Sequence, residues 1–180
     1  MKLQPTDRQI LAIALPAIIS NITVPLLGLV DVSIAGHMGD ATYIGAIAVG
    51  SMVFNVIYWI FGFLRMGTSG LTAQALGRHD LSDVATTLAR SLMVALIAAA
   101  CIIVMQMPLG NIAIKATGAT GDIAASAHIY FNICVWGAPA MLSLYALTGW
   151  YIGMQDTRTP MLVSIAQNVV NIAASLFFVW

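Results

Sequence analysis

Asp31 is the carboxylate that this chain sets inside an apolar run; Asp7, Asp40, Asp80, Asp83, Asp122 and Asp156 all fall in the N-terminal segment or in turns. A charge at mid-depth in a bilayer costs roughly 2.5–3.5 kcal/mol on insertion scales, so Asp31 should face a polar cavity or a partner. There it offers one negative charge that can hold either a proton or a cation. The other placement is nearer the outer end of its run, where the side chain would snorkel to the interface. Oxygen-bearing neighbours are spaced to join it. Asn21 lies on the same run, and Ser164, Asn168, Asn171 and Ser175 follow steps of four, three and four, which puts them on one face of a helix. Two amides in one membrane span should avoid lipid. They either line a cavity or form an interhelical hydrogen-bond seam, worth about 0.6 to 2 kcal/mol per bond.

The elements that must position these residues are helices. Residues 10–35 form an apolar run of ~26 residues, enough to cross a ~30 Å hydrocarbon layer. Pro16 and Pro25 lack an N–H and release the carbonyls of Ala12 and Asn21, which marks sites for bending or ion binding. Asn21, Pro25, Gly28 and Asp31 recur at three- and four-residue spacing and give this run a polar, kinked face. A second run covers 43–64 and continues, richer in glycine, to 77. Its residues Ser51, Asn55, Tyr58, Gly62, Arg65 and Ser69 make a stripe suited to a cavity wall or to a helix contact. Residues 85–107 read as a scaffold span, followed by a polar connection over 110–122 in which Asp122 would cap the next helix. A fourth span, 125–154, should kink at Gly137-Ala138-Pro139 and admit another helix closely at Gly149 and Gly153. After the charged turn Gln155–Pro160, residues 161–180 make a fifth. The expected fold class is all-α integral membrane with about five transmembrane helices.

Composition agrees with a membrane protein. Hydrophobic residues make up 60% of the chain, charged residues 8%, and the mean hydropathy is +0.92, whereas soluble domains carry about 25% charged residues. Seven Lys and Arg balance seven Asp, so no basic excess points to nucleic acid. Met1-Lys2 and the polar residues after it do not read as a cleavable signal peptide. If the N-terminus is cytosolic, Lys2, Arg8, Arg65, Arg78, Arg90 and Arg158 share its side and Lys115 alone takes the other, a positive-inside bias that places the N-terminus in the cytosol; the expected location is the inner (cytoplasmic) membrane. The chain stops on apolar Phe177-Phe178-Val179-Trp180, which predicts a fragment truncated at residue 180. Phosphate-loop, zinc-spacing and nucleophile-elbow motifs are missing, so enzyme chemistry has no foothold. His37, His79 and His128 read as solvated turn residues, and Cys101 and Cys134 as small apolar ones.

Several stretches together resemble the multidrug and toxic compound extrusion (MATE) transporters, and within them the DinF-like branch. They are Leu15-Pro16, Asp31 before Ile34-Ala35-Gly36-His37-Met38-Gly39, the stretch Arg65-Met66-Gly67-Thr68-Ser69-Gly70-Leu71-Thr72-Ala73-Gln74, then Gly149-Trp150-Tyr151-Ile152-Gly153-Met154-Gln155-Asp156, and Asn168 with Asn171. The resemblance covers the whole chain and implies most of the first lobe of a twelve-helix, two-lobe transporter. Such a protein exchanges an organic cation for protons or sodium by rocking between outward-open and inward-open states, needs no cofactor beyond the coupling ion, and has membrane lipid and a missing C-terminal lobe as partners. By the same resemblance Asp31 is the first-helix aspartate of the cavity, Pro16 the bending proline and Asn171 the fifth-helix asparagine, with sodium a possible guest of Asp31 and Asn171. Relatives can carry an acidic residue four positions after that asparagine. Here it is Ser175, so a two-carboxylate ion site is not carried over. Two rival expectations stand beside this one: a lipid-linked sugar flippase of the same superfamily, against which the scarcity of cavity cations argues, and a non-transporting scaffold subunit whose polar stripes are helix contacts only.

Overall fold

The structure is a computed structural model that describes Ile18 and residues 41–179, and all regular structure among them is helical. Helix α1 (Ala41–Ile60) runs into α2 (Phe63–Gly77) through a short turn at Phe61-Gly62. Then come α3 (Leu81–Val104), α4 (Gln106–Ala116), α5 (Gly121–Cys134), a 3-10 turn (Val135–Gly137), α6 (Ala138–Gly153) and α7 (Arg158–Val179). Among the described residues four segments are long and apolar enough to cross a membrane, namely Thr42–Gly77, Leu81–Val104, Gly121–Gly153 and Arg158–Phe177. This is a multi-pass membrane protein. Its outward surface is apolar, as lipid requires, with Trp59, Val104 and Phe177 among the most exposed side chains.

Two breaks follow from proline. Pro139 cannot donate to the carbonyl of Val135, and the α-helix gives way to the 3-10 turn at that carbonyl before restarting as α6. Pro108 likewise cannot donate to the carbonyl of Val104, and the chain breaks at Met105 between α3 and α4. Beyond that break lies a correction to the sequence reading. The stretch expected to be a polar connection over 110–122 is helical to Ala116, because Gly110 and Ile114 form a short stripe that seats on α5. Both are buried, and Gly110 lets the Phe131 ring lie against the α4 backbone. The connection proper is Thr117–Thr120, and Thr120 rather than Asp122 occupies the cap position of α5. His128 also departs from expectation: it is half-buried within α5, with Nδ1 facing Gly110, not in a turn.

Packing divides into two zones. Towards the α4–α5 turn, α1 packs on α5 through a column of rings, with Phe54 stacked on Phe131 at 5.0 Å and on Tyr58 at 5.7 Å. Tyr58 then meets Tyr145 of α6 edge-on at 6.5 Å. Towards the other end, α2, α3 and α6 pack on one another. Small residues fill both seams, including Ala46, Ala95, Ala99, Ala127, Ala138 and Ala146, as expected where lipid offers no hydrophobic driving force and close backbone approach supplies the attraction.

Candidate functional site

At the end shared by α2, α3 and α6, α6 crosses α2 through Gly149 and Gly153. Any Cβ on Gly149 would strike the backbone carbonyl of Arg65, and one on Gly153 would come within 2.6 Å of both the Ser69 carbonyl oxygen and Thr72 Cβ. Thr68, Thr72, Ala75, Val84, Thr87 and Thr157 are buried around this crossing. Trp150, between the two glycines, donates its Nε1–H to the carbonyl of Val84 at 3.0 Å and ties α6 to the first turn of α3. The two separate stretches Arg65–Gln74 and Gly149–Asp156 are therefore one contact.

The turns leaving this end are built alike. Helix α2 closes with His79 in the left-handed region (φ 58°), His79 N–H donating to the carbonyl of Leu76 and Asp80 N–H to that of Ala75. Helix α6 closes with Gln155 at φ 63°, where Gln155 N–H donates to Ile152 and Asp156 N–H to Tyr151. This is the paired 6→1 and 5→2 pattern that satisfies helix-end carbonyls. In each case the next residue is an aspartate that starts the following helix: Asp80 accepts from Asp83 N–H at 3.0 Å, and Asp156 from Arg158 N–H at 3.0 Å and Thr159 N–H at 3.1 Å. The Thr159 hydroxyl, also donating to Asp156 at 2.5 Å, is the largest cause holding that carboxyl below the usual carboxylate range. Arg65, Arg78, Arg90 and Arg158 all lie on elements meeting at this end, whereas Lys115 lies at the end of α4, in the other zone.

The polar stripe on α1 and α2 divides between the zones. Ser51 and Asn55 line an open cavity of about 510 Å³ with Ala48, Met52, Val56 and Trp59. Tyr58 joins the aromatic column, and the Arg65 and Ser69 backbones lie under the α6 glycines. One face thus serves first as a cavity wall and then as a helix contact.

On α7, Asn168 and Ser175 are half-buried and Asn171 is exposed. The Ser175 hydroxyl donates to Asn171 Oδ1 at 3.4 Å, so these two are brought together. The main packing partner of α7 among the described residues is α6. Asp31, Asn21, Pro16 and Pro25 lie outside the described residues. The stretch 110–116 and the groove between α2 and α3 are features that the sequence reading missed. The arginines flanking the α2–α3 turn were visible in the sequence, but not that Arg90 lines one groove with Arg78 and Asp83.

Comparison with known proteins places these features in a wider set. The MatE family profile matches residues 16–177. DNA damage-inducible protein F of Escherichia coli (strain K12) is 37% identical over 177 residues, covering 98% of this chain and 39% of that protein. Probable multidrug resistance protein NorM of Thermotoga maritima is 26% identical over 166 residues, 92% of this chain and 35% of its own length. A solved MOP superfamily transporter from Pyrococcus furiosus superposes with a TM-score of 0.85 at 24% identity, over 96% of this chain and 38% of that one; this likeness shows the fold. The chain spans well under half the length of each.

Proposed function

The chain belongs to the MatE family, and from that membership we propose that it is most of the N-terminal lobe of an inner-membrane antiporter that exports organic cations by alternating access. The name of one relative, a probable multidrug resistance protein, supports the direction of the reading. In this reading a C-terminal lobe completes the cavity, and a proton or a sodium ion drives the cycle. Asp31 supplies the charge for which the organic cation and the coupling ion compete, and Asn171 with Ser175 supplies neutral oxygens that orient the carboxylate or help coordinate sodium. The glycine crossing of α2, α3 and α6 moves as one body, while the prolines of the first run let that run bend against it.

The observation that carries the reading is the Asn171–Ser175 pair at 3.4 Å on a helix joined to the described residues chiefly through α6. Among the described residues Asn171 is exposed, which leaves its amide open to a ligand or to a helix of the other lobe. Replacing Asn171 by Leu in the transporter carrying both lobes is expected to weaken substrate or ion binding by about tenfold, the equivalent of one hydrogen bond of ~1.4 kcal/mol. Replacing Ile172 by Leu should change binding little. Equal losses at both positions would mean that this face is packing, as in the scaffold alternative. Export of an anionic lipid-linked sugar with no cation transport would favour the flippase.

Orientation is tested separately. The arginines gathered at the α2–α3 and α6–α7 turns support a reading in which that end, and the N-terminus with it, is cytosolic. A single cysteine placed at Thr120 is expected to react with an impermeant maleimide added to intact cells, and one at Ser82 only after permeabilisation. Reversed labelling would overturn the orientation.

A further inference from the structure

Between α2 and α3 runs a groove of about 400 Å³ that the transport reading does not use. We propose that it binds an anionic phospholipid, with the head group at its arginine end and the acyl chains along its apolar end. The two helices are antiparallel neighbours joined by the turn at Arg78-His79-Asp80, so the groove is graded along its length. Arg78, Asp83, Thr87 and Arg90 line the end next to the turn, and Phe63 and Val94 the end furthest from it. Such a gradient from charge to hydrocarbon, at the end of a membrane helix pair, matches the chemistry of a lipid rather than that of a free ion.

The charge is unbalanced in the direction a phosphate needs. Arg78 is paired with Asp83, Nη2 to Oδ2 at 2.6 Å. Arg90 has no carboxylate within 4.0 Å among the described residues. It stands about two and a half turns into α3, and beyond Ser91 the helix is apolar. Helical side chains tilt towards the N-terminus, which directs its guanidinium back along α3 towards Thr87 and the turn end of the groove. Basic pockets between membrane helices on the cytosolic side bind anionic head groups for this reason. Phe63, Leu71 and Val94 are 56%, 58% and 47% exposed, an apolar border on which acyl chains can lie.

The test uses the purified transporter carrying both lobes in neutral detergent, titrated with phosphatidylglycerol and, separately, phosphatidylcholine, with bound lipid read by native mass spectrometry. Phosphatidylglycerol is expected to bind at least about fivefold more tightly, the contribution of one arginine near a membrane surface, and to lose that margin as salt rises. Arg90→Gln should remove about fivefold of the phosphatidylglycerol affinity and leave phosphatidylcholine unchanged. Arg90→Lys should restore most of it, and Lys115→Gln in the other zone should have no effect. Should Arg90→Gln fail to fold, Arg78→Gln removes the other arginine of the head-group end, whose side chain is exposed, and is expected to give the same selective loss. Equal affinity for the two lipids, or no selective loss in the groove variant that folds, overturns the proposal. Competition by millimolar inorganic phosphate that depends on Arg90 also overturns it, by assigning the site to a soluble anion.

Discussion

Gly149→Ala is expected to destabilise the chain by about 1–3 kcal/mol, the usual penalty for inserting a methyl group into a close-packed contact. The methyl would meet the carbonyl oxygen of Arg65, a backbone atom of α2 that cannot rotate away. Helices α2 and α6 must then separate, which also strains the Trp150 bond to Val84 and the seating of Gly153 over Thr72. Gly70→Ala is the matched control. Nothing lies within 4 Å of the Cβ it would carry, so the same chemical change gains helix propensity, worth up to about 1 kcal/mol. Reversible unfolding of both variants in one detergent checks the pair: the midpoint should fall for Gly149→Ala and hold or rise for Gly70→Ala. Equal shifts would show that the crossing is looser than its geometry.

Much of this architecture is legible in the sequence because membrane helices announce themselves by length and apolarity. The break near Pro139 is legible for a local reason, a missing N–H, and the small-residue spacing Gly149-x-x-x-Gly153 signals close approach. What spacing cannot give is the partner. That α6 meets α2 at Arg65, Ser69 and Thr72, so that two separate family-like stretches form one contact, depends on how the chain folds back across residues far apart in sequence. Helix α4 was hidden for a related reason. Pro108, Gly110 and Asn111 read as turn chemistry, and the helical stripe of Gly110 and Ile114 gains its meaning only once the Phe131 ring lies upon it. The stripe from Ser51 to Ser69 was visible as one face, yet its division into cavity wall and helix contact follows from where α5 ends and α6 begins.

The polar face of α7 was legible from spacing alone, and the bond between Asn171 and Ser175 supplies its geometry. With Ser175 in place of a second carboxylate, the proposed exchange rests on Asp31. If one charge is held in turn by a proton or sodium ion and by an organic cation, its removal ends the competition that couples their movements. Asp31→Asn should therefore abolish coupled efflux in the two-lobe protein without harming membrane insertion, because a neutral amide is cheaper to bury than a carboxylate. Asp31→Glu, which keeps the charge, is expected to retain part of the activity. The most direct measurement is efflux of a fluorescent organic cation from vesicles holding equal amounts of wild-type and Asp31→Asn protein, driven in turn by a pH jump and a sodium jump. The account predicts gradient-driven efflux from wild-type vesicles and only the passive leak from the variant; full efflux by Asp31→Asn with unchanged dependence on the ion gradient would contradict it.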